Sequence, residues 1–276
     1  MAKNLFEQLN ATMTHREDVS PGLCIIRVES DKALFPFEAG QYCVLGLPPE
    51  AERVQDAGEE PVLDEKKRKQ MIRRAYSISS SSKEGEFLEF YITLVQSGGL
   101  TPRLFNLKEG DRLWLGPKAT GLFTLKEVPE DVTLLLMATG TGLAPYVSMV
   151  RSDILDERTH RKIVISHGAR YSKDLGYREE LEALAARHDN LVYIPSITRP
   201  SEDPGWDGET GYLQAQLSDG RVEELAGVEL SPETCHVFLC GNPSMIEEAV
   251  EILTKRNFTE WSRQSPEGQV HLEKYW

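Results

Sequence analysis

The chain has 276 residues, 40% of them hydrophobic, which is enough for two domains of ordinary size with buried cores. A formal net charge of −13 disfavours non-specific binding to nucleic acid, and no apolar run approaches the roughly 18 residues of a membrane span. The four cysteines, Cys24, Cys43, Cys235 and Cys240, show no C-x-x-C spacing, so no metal or iron–sulfur site is expected and reduced thiols are. The opening residues lack a basic stretch followed by an apolar one, so the chain reads as cytoplasmic rather than secreted.

The first half reads as strands. Short runs rich in β-branched and aromatic residues occur at 24–28, 41–45, 75–79, 87–95 and 112–115, separated by Gly, Pro, Asp and Ser clusters. That spacing predicts an antiparallel barrel. Residues 49–70 interrupt the pattern. They are rich in Glu and Lys, show little apolar periodicity, and read as an inserted excursion with some helical character. A helix is expected over 100–107. Lys66, Lys67, Arg68, Lys69, Arg73 and Arg74 form a basic cluster. It reads either as a solvated face or as a docking patch for an acidic partner or a phosphate.

Past 127–131, a short linker containing Pro and acidic residues, the period changes. Residues 132–138, 162–166, 191–197 and 236–240 read as buried strands, with helices expected over 145–156, 175–187, 212–217 and 243–255. Strands alternating with helices predict a parallel sheet with helices on its faces. Pro145 and Pro243 suit the first position of a helix, where the missing N–H does no harm, and Asn242 suits the N-cap. The expected fold is therefore two-domain: an N-terminal antiparallel β-barrel over 1–128 and a C-terminal α/β parallel-sheet nucleotide-binding domain over 129–276.

The strand at 132–138 runs into Thr139-Gly-Thr-Gly-Leu-Ala-Pro145. Two glycines let the backbone turn tightly and approach a ligand closely. The helix that follows offers N–H groups and a positive dipole end to a pyrophosphate, at the carboxyl end of a strand, where open α/β sheets bind ligands. The spacing is not the common G-x-G-x-x-G fingerprint. Taken alone, a purely structural turn explains it equally well.

Three further segments accompany this loop: Arg74-Ala75-Tyr76-Ser77 at the end of a barrel strand, Cys240-Gly241-Asn242-Pro243 after the last expected parallel strand, and Glu273-Lys274-Tyr275-Trp276 at the end of the chain. Together they resemble the ferredoxin–NADP reductase family, above all its short bacterial ferredoxin/flavodoxin reductases, from about Gly40 to Trp276 less the excursion. The resemblance implies FAD in the barrel domain and NADP(H) on the parallel sheet. Arg74 would pair with the FAD pyrophosphate through forked hydrogen bonds, with Ala75 beside it. Tyr76 would lie against one face of the flavin ring, and Ser77 would reach its hydride-accepting edge. Tyr91 and Thr93 would line that edge. Gly98, Gly99, Leu100 and Thr101 would form a second phosphate-binding turn, and the segment ending in Thr124 would also lie near the flavin.

On the parallel sheet the resemblance implies that Thr139, Gly140, Thr141 and Gly142 cradle the NADP pyrophosphate and that Cys240 sits beside the nicotinamide. Arg170 and Arg199 would receive the 2′-phosphate. Where related enzymes often carry a third arginine, after a glycine, this chain has Tyr212 after Gly211, with Lys173 and Arg221 as the cations able to make up for it. Glu273 would lie near Ser77 and Cys240, Tyr275 would stack on the flavin opposite Tyr76, and Trp276 would stack on the FAD adenine. Ser77, Cys240, Glu273 and Tyr275 are thus the expected catalytic set, with the hydride passing where Ser77 of the barrel meets Cys240 of the sheet. The implied activity is FAD-dependent electron transfer between NADP(H) and ferredoxin or flavodoxin, steered by Lys66, Lys67, Arg68 and Lys69. An NAD(P)H:flavin reductase, or the reductase component of an oxygenase, is the alternative enzyme. A flavin-binding sensory module is the non-enzymatic alternative, but binding alone gives no reason for Ser77, Cys240 and Glu273.

Overall fold

A computed structural model describes residues 4–60, 64, 67–152, 155 and 162–274, without the side chain of Lys67. The expectations for Lys66, Tyr275 and Trp276 therefore lie outside the described residues. The chain divides into two compact units, Met1–Leu122 and Phe123–Trp276.

The first unit contains strands β1 (Ala11–Ser20), β2 (Leu23–Ser30), β3 (Tyr42–Leu47), β4 (Ile72–Ser77), β5 (Leu88–Thr93) and β6 (Arg112–Leu115), and one short helix, α1 (Thr101–Leu104). Their order is β4-β3-β6-β1-β2-β5, with antiparallel pairing throughout. The two outer strands meet. Ile78 bridges Phe90, and the Ser79 N–H donates to the Glu89 carbonyl at 2.8 Å. The sheet is thus closed into a barrel, which removes its open edges. Every second residue points inward: Cys24, Ile26 and Val28 on β2, Cys43, Leu45 and Leu47 on β3, Leu88, Phe90 and Ile92 on β5. Strand β1 was not expected from the sequence. Only Ala11 and Met13 of its ten residues are buried, so its apolar signal is weak.

The excursion, where described, contains one 3-10 turn, Lys67–Lys69, and no α-helix. It lacks an apolar stripe to bury, so polar bonds hold it instead. Ala51 and Val54 pack against the barrel core. The Arg53 guanidinium donates to the carbonyls of Gly58 (2.9 Å) and Gln96 (3.1 Å). Arg103, only 3% exposed, donates to Glu60 Oε1 (2.7 Å), to the Gly99 carbonyl (2.6 Å) and to the Pro49 carbonyl. The excursion is thereby laced to the turn that leads into α1.

The second unit contains β7 (Thr133–Thr139), β8 (Ile163–Ala169), β9 (Leu191–Ile197), β10 (Glu209–Thr210), β11 (Cys235–Gly241) and β12 (Val270–Lys274), in the order β10-β9-β8-β7-β11-β12 and all parallel. Helices α2 (Ala144–Ser152), α3 (Arg178–Ala185), α4 (Leu213–Ser218), α5 (Arg221–Ala226) and α6 (Pro243–Lys255) connect them. Leu134–Ala138 of β7 are fully buried, the continuous apolar run typical of a strand covered on both faces. Asn242 caps α6, its Oδ1 accepting from the Ser244 N–H at 2.8 Å, with Pro243 in the first turn. Pro145 falls second in α2 rather than first, because a 3-10 turn, Gly140–Leu143, intervenes. Helix α3 begins after Tyr177, whose left-handed φ of 61° breaks the earlier start expected at 175. The strand ending at Cys240 and Gly241 is not the last one, since β12 follows and pairs beside it. Among the described residues no helix is long and apolar enough to cross a membrane.

Candidate functional site

The sheet order places β7 where its neighbours diverge, with β8 on one side and β11 on the other. In open parallel sheets that switch point, at the carboxyl ends of the strands, is where ligands bind. The Thr139–Gly142 turn lies there, and three contacts fix it. Thr139 Oγ1 accepts from the Asn242 N–H at 2.8 Å. Gly142 presses on the end of β11, where an added Cβ would strike the Cys240 carbonyl and come within 2.9 Å of the Gly241 Cα. The Gly140 carbonyl lies 3.2 Å from His167 Nε2. Gly140 itself has a left-handed φ of 53°, and a Cβ there would meet nothing within 4 Å, so its glycine answers a conformational need rather than a lack of room. Beneath the turn, the buried Tyr146 hydroxyl shares its one hydrogen between the carbonyls of Phe238 (2.8 Å) and Met137 (3.0 Å), tying α2 to β11 and β7.

Cys240 and Glu273 share one register position, on β11 and β12. The fully buried Cys240 thiol approaches Glu273 Oε2 at 3.9 Å. No strand is expected over the segment that holds Glu273; the structure makes Glu273 a strand residue. The short alternation Val270-His-Leu-Glu was the available signal. The other thiols stand apart from this chemistry. Burial pushes Cys24 up to about 12, Cys43 to about 11 and Cys235 to about 12, which keeps them protonated.

Arg170 and Arg199 are brought together. They follow β8 and β9, and the Arg199 N–H donates to the Arg170 carbonyl at 3.1 Å. Both side chains are exposed. Tyr171, which sequence reasoning missed, joins them: its hydroxyl accepts from Arg199 Nη1 (3.3 Å) and donates to Glu202 Oε2 (2.8 Å). Lys173 lies over the Tyr171 ring, 5.3 Å from its centroid. Arg221 is engaged elsewhere, by Glu209 (2.6 Å) and Glu224 (2.8 Å), so it does not join the cluster. Tyr212 is 65% exposed at the start of α4.

In the barrel unit, Arg74, Ala75, Tyr76 and Ser77 form the end of β4. Arg74 and Tyr76 stand opposite Leu45 and Cys43 on β3. Arg74 is exposed and Ser77 buried. The Tyr76 hydroxyl is buried and has no hydrogen-bond partner among the described residues. Burial and the neighbouring Cys24 push its pKa above the ordinary range, against a smaller pull from Arg74. The register at the barrel seam, Ile78 opposite Phe90, sets Ser77 and Tyr91 at adjoining positions. Tyr91 is buried and Thr93 half-buried on β5. Gly98 ends a tight turn, its N–H donating to the Val95 carbonyl at 2.8 Å, and an added Cβ there would come within 2.9 Å of that carbonyl. Thr101 Oγ1 closes that turn, accepting from the Val95 N–H at 3.0 Å. Thr124 belongs to the second unit rather than to the barrel. Arg68 and Lys69 are exposed.

Residues 136–251 match the oxidoreductase NAD-binding domain family. The chain is 35% identical, over 243 residues, to the flavodoxin/ferredoxin–NADP reductase of Escherichia coli (strain K12), covering 88% of this chain and 89% of that one. It is 33% identical over 226 residues to the ferredoxin–NADP reductase of Azotobacter vinelandii, covering 79% and 78%. A solved ferredoxin NADP+ reductase from Neisseria gonorrhoeae, with bound FAD and NADP, shares the fold at a TM-score of 0.79 and 22% identity, over 98% of this chain and 99% of that one. Sheet order, turn and relatives agree, and the chain belongs to the flavodoxin/ferredoxin–NADP reductase family.

Proposed function

We propose that this chain is an FAD-dependent oxidoreductase that moves electrons between NADP(H) and a one-electron carrier protein, ferredoxin or flavodoxin. The observation that carries the reading is the switch-point turn, bound to the Cys240–Asn242 end of β11, in a chain this similar to named flavodoxin/ferredoxin–NADP reductases.

The residues present fit both cofactors. The end of β4 offers an exposed guanidinium, Arg74, and an orphaned buried phenol, Tyr76. Arg74 donates from Nη1 to the Arg73 carbonyl at 2.7 Å but has room for a counter-charge, and an anionic nucleotide rich in hydroxyls supplies that charge to Arg74 and a partner to the Tyr76 hydroxyl. The turn at Thr139–Gly142 fits a pyrophosphate, and the cationic cluster of Arg170, Arg199 and Lys173 fits a terminal phosphate dianion. Bound FAD supplies two-electron acceptance from the nicotinamide and one-electron release to the carrier.

The residues bind and orient. Arg74 holds the FAD pyrophosphate as a two-pronged donor, together with the turn Gly98, Gly99, Leu100 and Thr101. Ala75 and Tyr76 line the ring site, Ser77 reaches the hydride-accepting edge, and Tyr91 and Thr93 flank it. Thr139, Gly140, Thr141 and Gly142 cradle the dinucleotide, and Arg170 and Arg199 select the 2′-phosphate. Cys240 positions the nicotinamide by packing and polarity and is not a covalent nucleophile. Glu273, beside Cys240, relays protons or orients the nicotinamide. Arg68 and Lys69, with Lys66 and Lys67, steer an acidic carrier; the overall charge of −13 keeps that steering local. Reversing the charges of Lys66, Lys67 and Lys69 lowers the association rate with ferredoxin several-fold at low salt, and the effect fades at high salt. An unchanged rate at low salt contradicts the patch. The reading as a whole is tested on purified protein: FAD is released on denaturation, and NADPH bleaches the yellow colour of the native protein.

A further inference from the structure

His167 is fully buried near the end of β8, in a strand otherwise made of apolar and small residues. Both of its ring nitrogens are engaged. Nε2 lies 3.2 Å from the Gly140 carbonyl and Nδ1 lies 3.1 Å from the Tyr193 hydroxyl on β9. A carbonyl oxygen can only accept, so Nε2 carries the hydrogen, and in the neutral ring Nδ1 then accepts from the Tyr193 O–H. One tautomer satisfies the whole chain. Burial pushes His167 down to about 4, which keeps the ring neutral around pH 7.

The carbonyl so held belongs to the one residue of the turn with a left-handed φ, Gly140. The space where a Cβ would sit is open to 4 Å, so no clash at that position dictates the conformation. A trans peptide points its C=O and N–H in opposite directions. Anchoring the Gly140 carbonyl inward on His167 therefore turns the Thr141 N–H outward.

We infer that His167 and Tyr193 are positioning residues for the dinucleotide pyrophosphate, acting through the Gly140 carbonyl to fix the plane of the peptide that meets the ligand. The inference rests on the reading of Thr139–Gly142 as the NADP cradle. It assigns neither residue a contact with the cofactor.

The test uses the holoprotein and three variants. The dissociation constant of NADP+ is read from the perturbation of the flavin absorbance band, and KM and kcat are measured for NADPH with ferricyanide as acceptor. Loss of one buried hydrogen bond predicts that His167→Phe weakens NADP+ binding and raises KM by about 10-fold, with kcat within about twofold. His167→Gln, whose amide N–H can reach the same carbonyl, restores binding to within about twofold. Tyr193→Phe weakens it about threefold. Adenosine 2′-monophosphate, which lacks the pyrophosphate, binds His167→Phe as tightly as it binds the parent. Should His167→Phe fail to fold, the split between KM and kcat in Tyr193→Phe decides. NADP+ binding to His167→Phe at parental affinity, equal losses for NADP+ and adenosine 2′-monophosphate, or no rescue by a folded His167→Gln overturns the inference. Thr141→Asp separates it from the reading beneath: a carboxylate in a true cradle repels the pyrophosphate. If Thr141→Asp binds NADP+ normally, the cradle reading falls. If Thr141→Asp loses NADP+ while His167→Phe keeps it, only the role of His167 falls.

Discussion

Gly142 has no room for a methyl group. A Cβ there meets the Cys240 carbonyl and the Gly241 Cα, both of them backbone and unable to swing aside. Gly142→Ala therefore pushes the turn away from β11 and strains the fold by about 1–3 kcal/mol. Thermal melts report the strain, and NADP+ titration reports at least a several-fold loss of affinity. A variant that binds and melts like the parent contradicts the placement of the turn. Arg74 makes a complementary case. In the proposed function it forks to the FAD pyrophosphate, a pair of charge-assisted bonds that contributes about 1.5–3 kcal/mol, so Arg74→Ala is predicted to lose FAD by roughly one to two orders of magnitude, read from the fluorescence of released flavin. Not every important side chain was visible in the sequence. Arg74, Cys240 and the glycines stand in short motifs. His167 stands in Lys-Ile-Val-Ile-Ser-His-Gly, where the apolar period hides it, and its partners lie on a turn and on another strand. Tyr171 was hidden for the same reason: its role depends on Arg199 and Glu202 arriving from the end of the next strand.

At the level of elements, the strands with strong alternation or continuous apolar runs were legible, and so were α6 with its Asn-Pro start and the glycine turn after β7. β1 was not, because half of it faces outward with charged residues. β12 was not, because it is only five residues long and buries only its first two. The excursion carried no period at all, since arginine–carbonyl bonds to distant residues hold it. Its brace is testable. Glu60 faces the buried Arg103 guanidinium, whose hydrogen bonds hold the carboxyl below its ordinary range. A carboxyl with a depressed folded pKa adds stability that is present above its unfolded value and is lost as pH falls through the folded one. Glu60→Gln leaves a buried cation without its counter-charge and lowers stability by about 2 kcal/mol at pH 7. The gap between variant and parent narrows as the pH falls below about 4, where the parental carboxyl also becomes neutral. A pH-independent gap in urea midpoints contradicts the ion-pair account.

For the whole molecule, two buried imidazoles set the acid limb of stability. Burial pushes His167 down to about 4, and burial with the adjacent His236 pushes His271 down to about 3. Each stays neutral in the folded chain while the unfolded chain takes up a proton below about 6.5. The unfolded state then binds more protons, so stability falls as pH is lowered from about 6.5 towards 4. Melting temperatures taken across that window decline in the parent, and the decline is shallower in His271→Phe. The same molecule sets Arg170 and Arg199 together at the strand ends, and the proposed function gives them the phosphate that distinguishes NADPH from NADH. That choice is the central claim in its sharpest form. Stopped-flow reduction of the FAD-loaded protein by NADPH and by NADH, followed by mixing with ferredoxin or flavodoxin, tests it most directly. NADPH is expected to reduce the flavin at least about 10-fold more efficiently, in line with charge-assisted bonds of about 1.5–3 kcal/mol, with the electrons passing on to the carrier. Reduction by NADH as efficient as by NADPH, or a reduced flavin that transfers nothing to either carrier, contradicts the account.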